Sequence, residues 1–146
     1  MAEKILIIDD DVDTLRLVGL MLQRQGYEIS AASNGTQGLA KALEERPNLI
    51  LLDVILPGAD GYFVARQIRE LEAGQWTPII FLSAKDGDAD LWQGIEAGGD
   101  DYLVKPVSTV VLTAKLRAMQ RLRSMGRRNQ EISEELRVVN AQLRHL

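Results

Sequence analysis

Short apolar runs alternate along this chain with longer stretches in which apolar residues recur at helical spacing. Uninterrupted apolar runs at 4–8, 49–52 and 78–82 predict three strands that are buried on both faces, as in a parallel sheet. Segment 27–32 alternates between apolar and polar residues, and segment 102–104 is short. We therefore predict that these last two strands form the edges of the sheet.

Helical spacing fills the segments between the strands. It predicts helices over 12–25, 35–46, 62–71 and 89–97, and a further helical segment that opens after Lys105-Pro106. Strand and helix alternate five times, which is typical of an α/β fold with a doubly wound parallel sheet. Strands one, three and four are apolar throughout and should be central. This matches the strand order 2-1-3-4-5 of flavodoxin-like folds, which we expect here together with an extended C-terminal helix.

Length and composition fit one domain with a sizeable core. The chain has 146 residues, of which 46% are hydrophobic and 26% charged. It contains no cysteine, which excludes disulfides, thiol catalysis and thiolate metal sites. No apolar stretch approaches the length of a membrane span, so we expect a cytoplasmic protein without membrane contact.

Charge is distributed unevenly along the chain. Residues 1–114 contain 18 acidic and 9 basic residues, a balance of −9, whereas residues 115–146 contain 3 acidic and 8 basic residues, a balance of +5. The acidic part argues against nucleic acid as a direct ligand of this chain. Spaced arginines on the predicted last helix are most simply its solvated face.

Polar residues stand where the predicted strands end. Asp9 and Asp10 follow the first strand, Asp53 the third, Ser83 the fourth and Lys105 the fifth. Parallel strands bring these ends to one edge of the sheet, where open α/β sheets bind ligands. Clustered carboxylates without histidine or cysteine favour Mg²⁺ as a counter-ion. Asp53 is then placed to act as a nucleophile toward phosphorus, with a hydroxyl and an ammonium to stabilise the phosphoryl charge.

Each of these residues also has a local explanation. One carboxylate among Asp9, Asp10 and Asp11 is expected to cap the first helix, Asp53 could form a turn, and Ser83 could bond to its own backbone. Such residues at the ends of four strands nevertheless favour a shared site.

The motifs in their order and spacing resemble the receiver domain of two-component response regulators, the CheY-like superfamily, over about residues 3–122. The matching segments are Ile5–Asp11, Leu51–Asp53, Pro57-Gly58, Asp60-Gly61, Leu82–Ala84 and Ala97–Pro106.

The resemblance implies a phosphoacceptor site. Asp53 would accept a phosphoryl group from a phosphohistidine of a sensor histidine kinase or a phosphotransfer protein. Asp10 and Asp53 would bind Mg²⁺ directly, Asp9 would bind it through water, and the backbone carbonyl of Ile55 would complete the protein ligands. The chain would then catalyse only its own phosphorylation and dephosphorylation.

The resemblance also implies a conformational switch. Ser83 stands at the family's hydroxyl position, Lys105 at the lysine that contacts the phosphoryl group, and Tyr102 at the aromatic position that turns inward when the hydroxyl moves. This would bias the face formed by the fourth helix, fifth strand and fifth helix. The bond between Lys105 and Pro106 is expected to be cis, as is common in the family.

A heptad pattern continues beyond the receiver motif. Its core positions are Leu122, Met125, Asn129, Ile132, Leu136, Val139, Leu143 and Leu146. This predicts a parallel two-stranded coiled coil, with an amphipathic helix lying on its own domain as the alternative. We therefore expect a homodimer that forms through this helix, through the face of the fourth helix, fifth strand and fifth helix, or through both. Gly126 weakens the helix by about 1 kcal/mol relative to alanine. We predict a receiver domain over 1–122 and a helical linker over 123–146.

The helical end suggests a fragment of a longer regulator that lacks its output domain. In similar regulators such linkers precede diguanylate cyclase, PP2C-type phosphatase, HD-type phosphodiesterase or kinase modules, and we favour the cyclase. His145, a lone histidine, is not expected to take part in phosphorelay.

Two other functions remain open at this point. A haloacid-dehalogenase-like Mg²⁺-dependent phosphohydrolase also uses a strand-end aspartate, but it requires Asp-x-Asp followed by glycine or threonine. Here Asp11 is followed by Val12, and no substrate-capping insertion is present. A degenerate receiver that serves only as an interaction module is the second alternative, against which the intact set of polar strand ends argues.

Overall fold

The computed structural model describes residues 3–72, 74–84 and 88–144, with the side chains of 88–91, 127–135 and 143–144 left out. The chain divides into two compact units, Met1–Thr109 and Val110–Leu146. The first unit contains the sheet, and the described residues of the second lie in one helix.

Five strands and four helices alternate in the described part of the first unit. They are β1 (Lys4–Ile8), α1 (Val12–Arg24), β2 (Glu28–Ala32), α2 (Gly35–Glu45), β3 (Leu49–Asp53), α3 (Gly61–Leu71), β4 (Ile79–Ser83), α4 (Asp88–Glu96) and β5 (Asp101–Val104). All strand pairs are parallel, and the order is β2-β1-β3-β4-β5. The predicted fold class and strand order are confirmed.

The core lies along the three central strands. Every residue of β3 and β4 is buried, and so is every residue of β1 after Lys4. The edge strands β2 and β5 both contain partly exposed positions, as their alternating or short patterns predicted. An edge-to-face contact between the rings of Tyr62 and Phe81, with centroids 5.2 Å apart, joins α3 to β4 inside this core.

Strand register determines which residues meet at the carboxyl edge. Ile8 pairs with Leu52, Asp53 pairs with Leu82, and Ser83 pairs with Val104. The strands therefore end at nearly the same level, and the polar residues that follow them share one edge of the sheet.

Asp11 is the aspartate that caps α1. Its Oδ1 accepts a hydrogen bond from the Asp13 N–H at 3.0 Å, and its Oδ2 accepts one from the Thr14 hydroxyl at 2.9 Å. The hydrogen bond from Thr14 holds the pKa of the Asp11 carboxyl below its ordinary value. The cap is thus separate from Asp9 and Asp10.

The second unit is helical from its start. Helix α5 spans Thr109–Arg144, so the predicted boundary between 122 and 123 falls inside one continuous helix and stays a prediction. Of the predicted heptad, Leu122, Met125, Leu136 and Val139 are described, and all four are exposed. The side chains of Asn129, Ile132 and Leu143, together with His145 and Leu146, lie outside the described residues. None of the helices in the described part of the chain has the length and apolar character needed to cross a membrane.

Candidate functional site

Backbone hydrogen bonds hold the predicted site residues at the carboxyl edge of the sheet. The N–H of Asp9 donates to the Ala32 carbonyl at 3.0 Å, and the N–H of Lys105 donates to the Ser83 carbonyl at 2.7 Å. These bonds extend the strand pairing past the ends of β1 and β5. The backbone therefore fixes the direction in which the Asp9 and Lys105 side chains project.

The ammonium of Lys105 lies between two carboxylates. Its Nζ is 2.8 Å from Asp9 Oδ2 and 3.3 Å from Asp53 Oδ2. The other oxygens face backbone donors, since Asp9 Oδ1 accepts from the Asp11 N–H at 2.9 Å and Asp53 Oδ1 accepts from the Ile55 N–H at 3.3 Å. Asp9 is fully buried and Asp53 is 6% exposed, so water screens these charges weakly.

Burial and crowding of like charges shift the ionisation of Asp53. Burial, together with the neighbouring Asp9 carboxylate, raises the pKa of Asp53 from 3.8 to about 6, against the opposing effects of Lys105 and the Ile55 N–H. Burial alone would lower the pKa of Lys105, but the two carboxylates outweigh it and raise that pKa. The site therefore favours additional positive charge.

Three carboxylates at this edge could hold a cation. One oxygen each from Asp9, Asp10 and Asp53 lie within 4.8 Å of one another. Among the described residues, the buried Asp9 Oδ2 accepts no hydrogen bond of good geometry, although the Lys105 ammonium is close to it. An oxygen-only set that combines the buried Asp9 and Asp53 with the exposed Asp10 fits Mg²⁺.

Ser83 and Tyr102 occupy neighbouring strands. Ser83 is buried at the end of β4, while Tyr102 in β5 pairs with Phe81 and packs, half-buried, against the core. The peptide bond between Lys105 and Pro106 is cis, as the resemblance implied. Ile55, the expected source of a backbone ligand, follows Asp53 in the loop and has an exposed side chain.

Gly61 brings α3 close to the acceptor aspartate. Its N–H donates to the Val54 carbonyl at 2.7 Å, and a Cβ at this position would overlap the backbone carbonyl of Asp53. The segment Asp60-Gly61 belongs to the motif that was recognised, but its steric role was not predicted. The sequence signal for it was the glycine itself, placed directly after the helix cap Asp60.

A polar network at the opposite edge of the sheet was not predicted either. Arg69 in α3 forms an ion pair with Asp100, with 2.6 Å between Nη2 and Oδ2. These two residues are 31 positions apart, and neither belongs to a periodic pattern that would indicate the contact.

Comparison with known proteins identifies the family. The model of the response regulator receiver domain matches residues 5–117. This chain belongs to that family. As a receiver domain it is a signalling module of two-component systems, and the haloacid-dehalogenase alternative no longer applies.

Several relatives are response regulators. The chain is 48% identical over 118 residues to "Transcriptional regulatory protein ResD" of Bacillus subtilis, which covers 81% of this chain and 48% of ResD. It is 37% identical over 123 residues to "Response regulator PleD" of Caulobacter vibrioides, covering 84% of this chain and 27% of PleD. "DNA-binding response regulator MtrA" of Mycobacterium tuberculosis is 36% identical, with 98% of this chain and 59% of MtrA covered. The chain thus spans about half the length of ResD and MtrA and about a quarter of PleD.

Solved receiver structures share the fold. A CheY-like receiver domain protein from Methanospirillum hungatei superposes with a TM-score of 0.80 at 28% identity, covering 86% of this chain and 99% of that one. The BeF3-activated DrrB receiver domain superposes with a TM-score of 0.74 at 33% identity, covering 83% and 99%. The predicted resemblance to receivers is therefore confirmed.

Proposed function

We propose that this receiver is a phosphoacceptor switch in which Asp53 takes a phosphoryl group from the phosphohistidine of a sensor histidine kinase or a phosphotransfer protein. The supporting observation is the grouping of Asp53 with Asp9 and Asp10 within 4.8 Å, beside the ammonium of Lys105. A carboxylate nucleophile next to a cation and a set of oxygen ligands is the arrangement that phosphoryl transfer to aspartate requires.

The transfer exchanges one bond to phosphorus for another. A carboxylate oxygen of Asp53 forms the new O–P bond as the P–N bond of the phosphohistidine breaks, and the imidazole nitrogen keeps the electron pair. Lys105 Nζ, 3.3 Å from Asp53 Oδ2, is close enough to stabilise the charge that the phosphoryl group brings. Its raised pKa keeps it protonated at neutral pH.

We further propose that Asp10 and Asp53 bind Mg²⁺ directly, that Asp9 binds it through water, and that the Ile55 carbonyl completes the protein ligands. When bound, the ion would neutralise charge on the phosphoryl oxygens. The grouping of one oxygen each from the buried Asp9 and Asp53 and the exposed Asp10 within 4.8 Å supports this assignment.

The signal is proposed to spread through Ser83 and Tyr102. A phosphoryl group on Asp53 adds about −1.5 to −2 charges and new acceptor oxygens beside the β4 end. Ser83 would move toward these oxygens, and the half-buried Tyr102 ring would turn inward. This would shift an existing conformational equilibrium of α4 and β5, and the chain would carry that change into α5.

The proposed product of the switch is a change in a homodimer and in an attached output module, all in the cytoplasm. The 36-residue α5 supports a helical connection of the kind that precedes a diguanylate cyclase. The names of ResD and MtrA favour a transcriptional output instead. Measuring cyclic di-GMP synthesis from GTP by the protein isolated from its native source, with and without acetyl phosphate, separates these two outputs.

Radiolabelled acetyl phosphate tests the acceptor. With Mg²⁺ the wild type should take up label on an acyl phosphate, Asp53→Asn should take up none, and chelation of Mg²⁺ should abolish labelling. Asp13→Asn removes an exposed carboxylate of α1 and serves as the matched control, with labelling equal to wild type. Equal labelling of Asp53→Asn and wild type would refute the assignment, and a folded wild type without label would indicate the degenerate receiver.

A further inference from the structure

The C-terminal end of α4 is fastened to neighbouring elements by one side chain. Arg69 Nε donates to the Gly98 carbonyl at 2.8 Å, and Nη2 donates to Asp100 Oδ2 at 2.6 Å. Nη1 donates to the Thr77 carbonyl at 2.7 Å and to Glu72 Oε1 at 2.6 Å. We call this group, with Trp76, the Arg69 node. It ties the chain after α4 to the end of α3 and to the loop before β4.

Asp100 adds a second attachment to the start of β4. Its Oδ2 accepts from the Ile79 N–H at 2.8 Å, and its own N–H donates to the Ile79 carbonyl at 2.8 Å. Its Oδ1 accepts from Trp76 Nε1 at 3.2 Å. Asp100 is therefore held by three donors on side and main chain, and the residues that follow α4 have a defined position against β4.

The C-terminal end of α4 packs tightly against the Arg69 node. Gly98 has φ +106°, and the N–H groups of Gly98 and Gly99 close the helix onto the carbonyls of Ile95 and Gly94 at 3.0 Å. A Cβ on Gly98 would lie 2.7 Å from Arg69 Cγ. The helix end thus packs directly on the aliphatic part of the arginine.

The rest of α4 contrasts with this fixed end. Trp92 is 68% exposed and Ile95 is 45% exposed, so the outer face of the helix is unrestrained by the core. Along the chain, the N-terminal end of α4 follows Ser83, which ends β4 at the candidate site. The C-terminal end of α4 is therefore held by hydrogen bonds. Its N-terminal end follows, along the chain, the strand end where the phosphoryl group would act.

We propose that the Arg69 node is the pivot about which α4 rotates when Asp53 carries a phosphoryl group, an inference that rests on the proposed function. Sliding the whole helix would break the hydrogen bond from Arg69 Nε to the Gly98 carbonyl at the end of α4, whereas rotation about the node leaves that bond in place. Nine helical residues span about 13 Å, so a rotation of about 10° displaces the far end by about 2 Å. Trp92, six residues before Gly98, lies about 9 Å from the pivot and moves with the helix.

The chain contains two tryptophans, one in the node and one on the moving helix. Protein labelled with 5-fluorotryptophan is titrated with beryllofluoride and Mg²⁺, and its ¹⁹F NMR signals are assigned with Trp76→Phe and Trp92→Phe. The fluorine signal of bound beryllofluoride reports occupancy of the site independently. We expect the Trp92 signal to shift several-fold more than the Trp76 signal.

The outcomes distinguish the pivot from the proposed function. If beryllofluoride binds and Trp76 shifts as much as Trp92, or neither shifts, the pivot is refuted and the acceptor site stands. If no bound beryllofluoride signal appears in folded protein, the proposed function fails and the pivot fails with it.

A matched pair of variants tests the role of the guanidinium. Arg69→Met removes it while keeping an aliphatic chain, and Arg66→Met removes an exposed arginine from the same helix. In Arg69→Met, the Trp76 signal should shift with beryllofluoride, and in Arg66→Met it should remain as in wild type. If the Trp92 signal of Arg69→Met still shifts several-fold more than its Trp76 signal, the pivot is refuted. If Arg69→Met does not fold, the difference between the two shifts in the wild type decides.

Discussion

Ionisation of Asp53 is unfavourable in the folded protein. Because burial and the Asp9 carboxylate raise its pKa in the folded protein to about 6, the folded state binds a proton more tightly than the unfolded state does. The unfolding free energy contributed by this group is highest below about pH 4 and is lost as pH rises toward about 6. Asp53 therefore opposes folding at neutral pH when no cation is bound.

This cost predicts a pH effect in the presence of a chelator. Between pH 4 and 6 the wild type should lose about 1–3 kcal/mol of unfolding free energy relative to Asp53→Asn. Urea unfolding of the two proteins at several pH values measures the difference. Parallel curves for wild type and Asp53→Asn would contradict the prediction.

Gly61→Ala should disturb both folding and the site. The new Cβ overlaps the Asp53 carbonyl, so the loop between β3 and α3 must shift, at a cost of about 2–4 kcal/mol. Thermal unfolding measures the loss of stability, and acetyl phosphate labelling at a temperature where the variant is folded measures the acceptor. Labelling at the wild-type rate would show that the displaced carbonyl does not affect the Asp53 side chain.

The sequence predicts which site residues lie close together but not which side-chain contacts they form. The proximity of Asp9, Asp53 and Lys105 followed from the geometry of parallel strands, because each residue directly follows a recognisable strand. Their ion pairs did not, since they depend on side-chain directions. The ion pair between Arg69 in α3 and Asp100 before β5 depends on tertiary packing alone, so no local sequence pattern predicts it.

At the scale of elements, the pattern of apolar residues determined nearly every boundary. The helix predicted over 12–25 is observed as Val12–Arg24, because Gly26 follows it with φ +94°. Strand β5 begins one residue earlier than predicted, at Asp101, directly after the Asp100 backbone and side chain bind Ile79. The length of α5 was harder to predict, since a polar helix with Gly126 has no clear stop signal.

Gly126 itself offers a test of α5. It lies within the helix, and a Cβ at this position would meet no atom within 4 Å. Gly126→Ala should therefore stabilise the helix by about 1 kcal/mol, measured by circular dichroism during thermal unfolding. Gly38→Ala is the contrasting control and should destabilise, because its Cβ would lie 2.6 Å from Ile8 Cδ1. A loss of helicity in Gly126→Ala would contradict the expectation.

At the scale of the whole molecule, the predicted homodimer depends on which face of α5 is apolar. Val138 and Val139 are adjacent and equally exposed, each at 49%, but only Val139 belongs to the predicted heptad core. Val139→Asp should therefore convert a dimer into a monomer in sedimentation equilibrium, while Val138→Asp should not. Equal effects of the two substitutions would favour an amphipathic helix without a specific seam.

Lys105 acts as an internal counter-ion for the carboxylates at the candidate site. Its ammonium lies between the carboxylates of Asp9 and Asp53. Part of the negative charge at this edge of the sheet is therefore balanced by a residue of the chain itself. A divalent cation bound there would relieve the repulsion that remains around Asp53, so it should raise the unfolding free energy as well as support phosphoryl transfer.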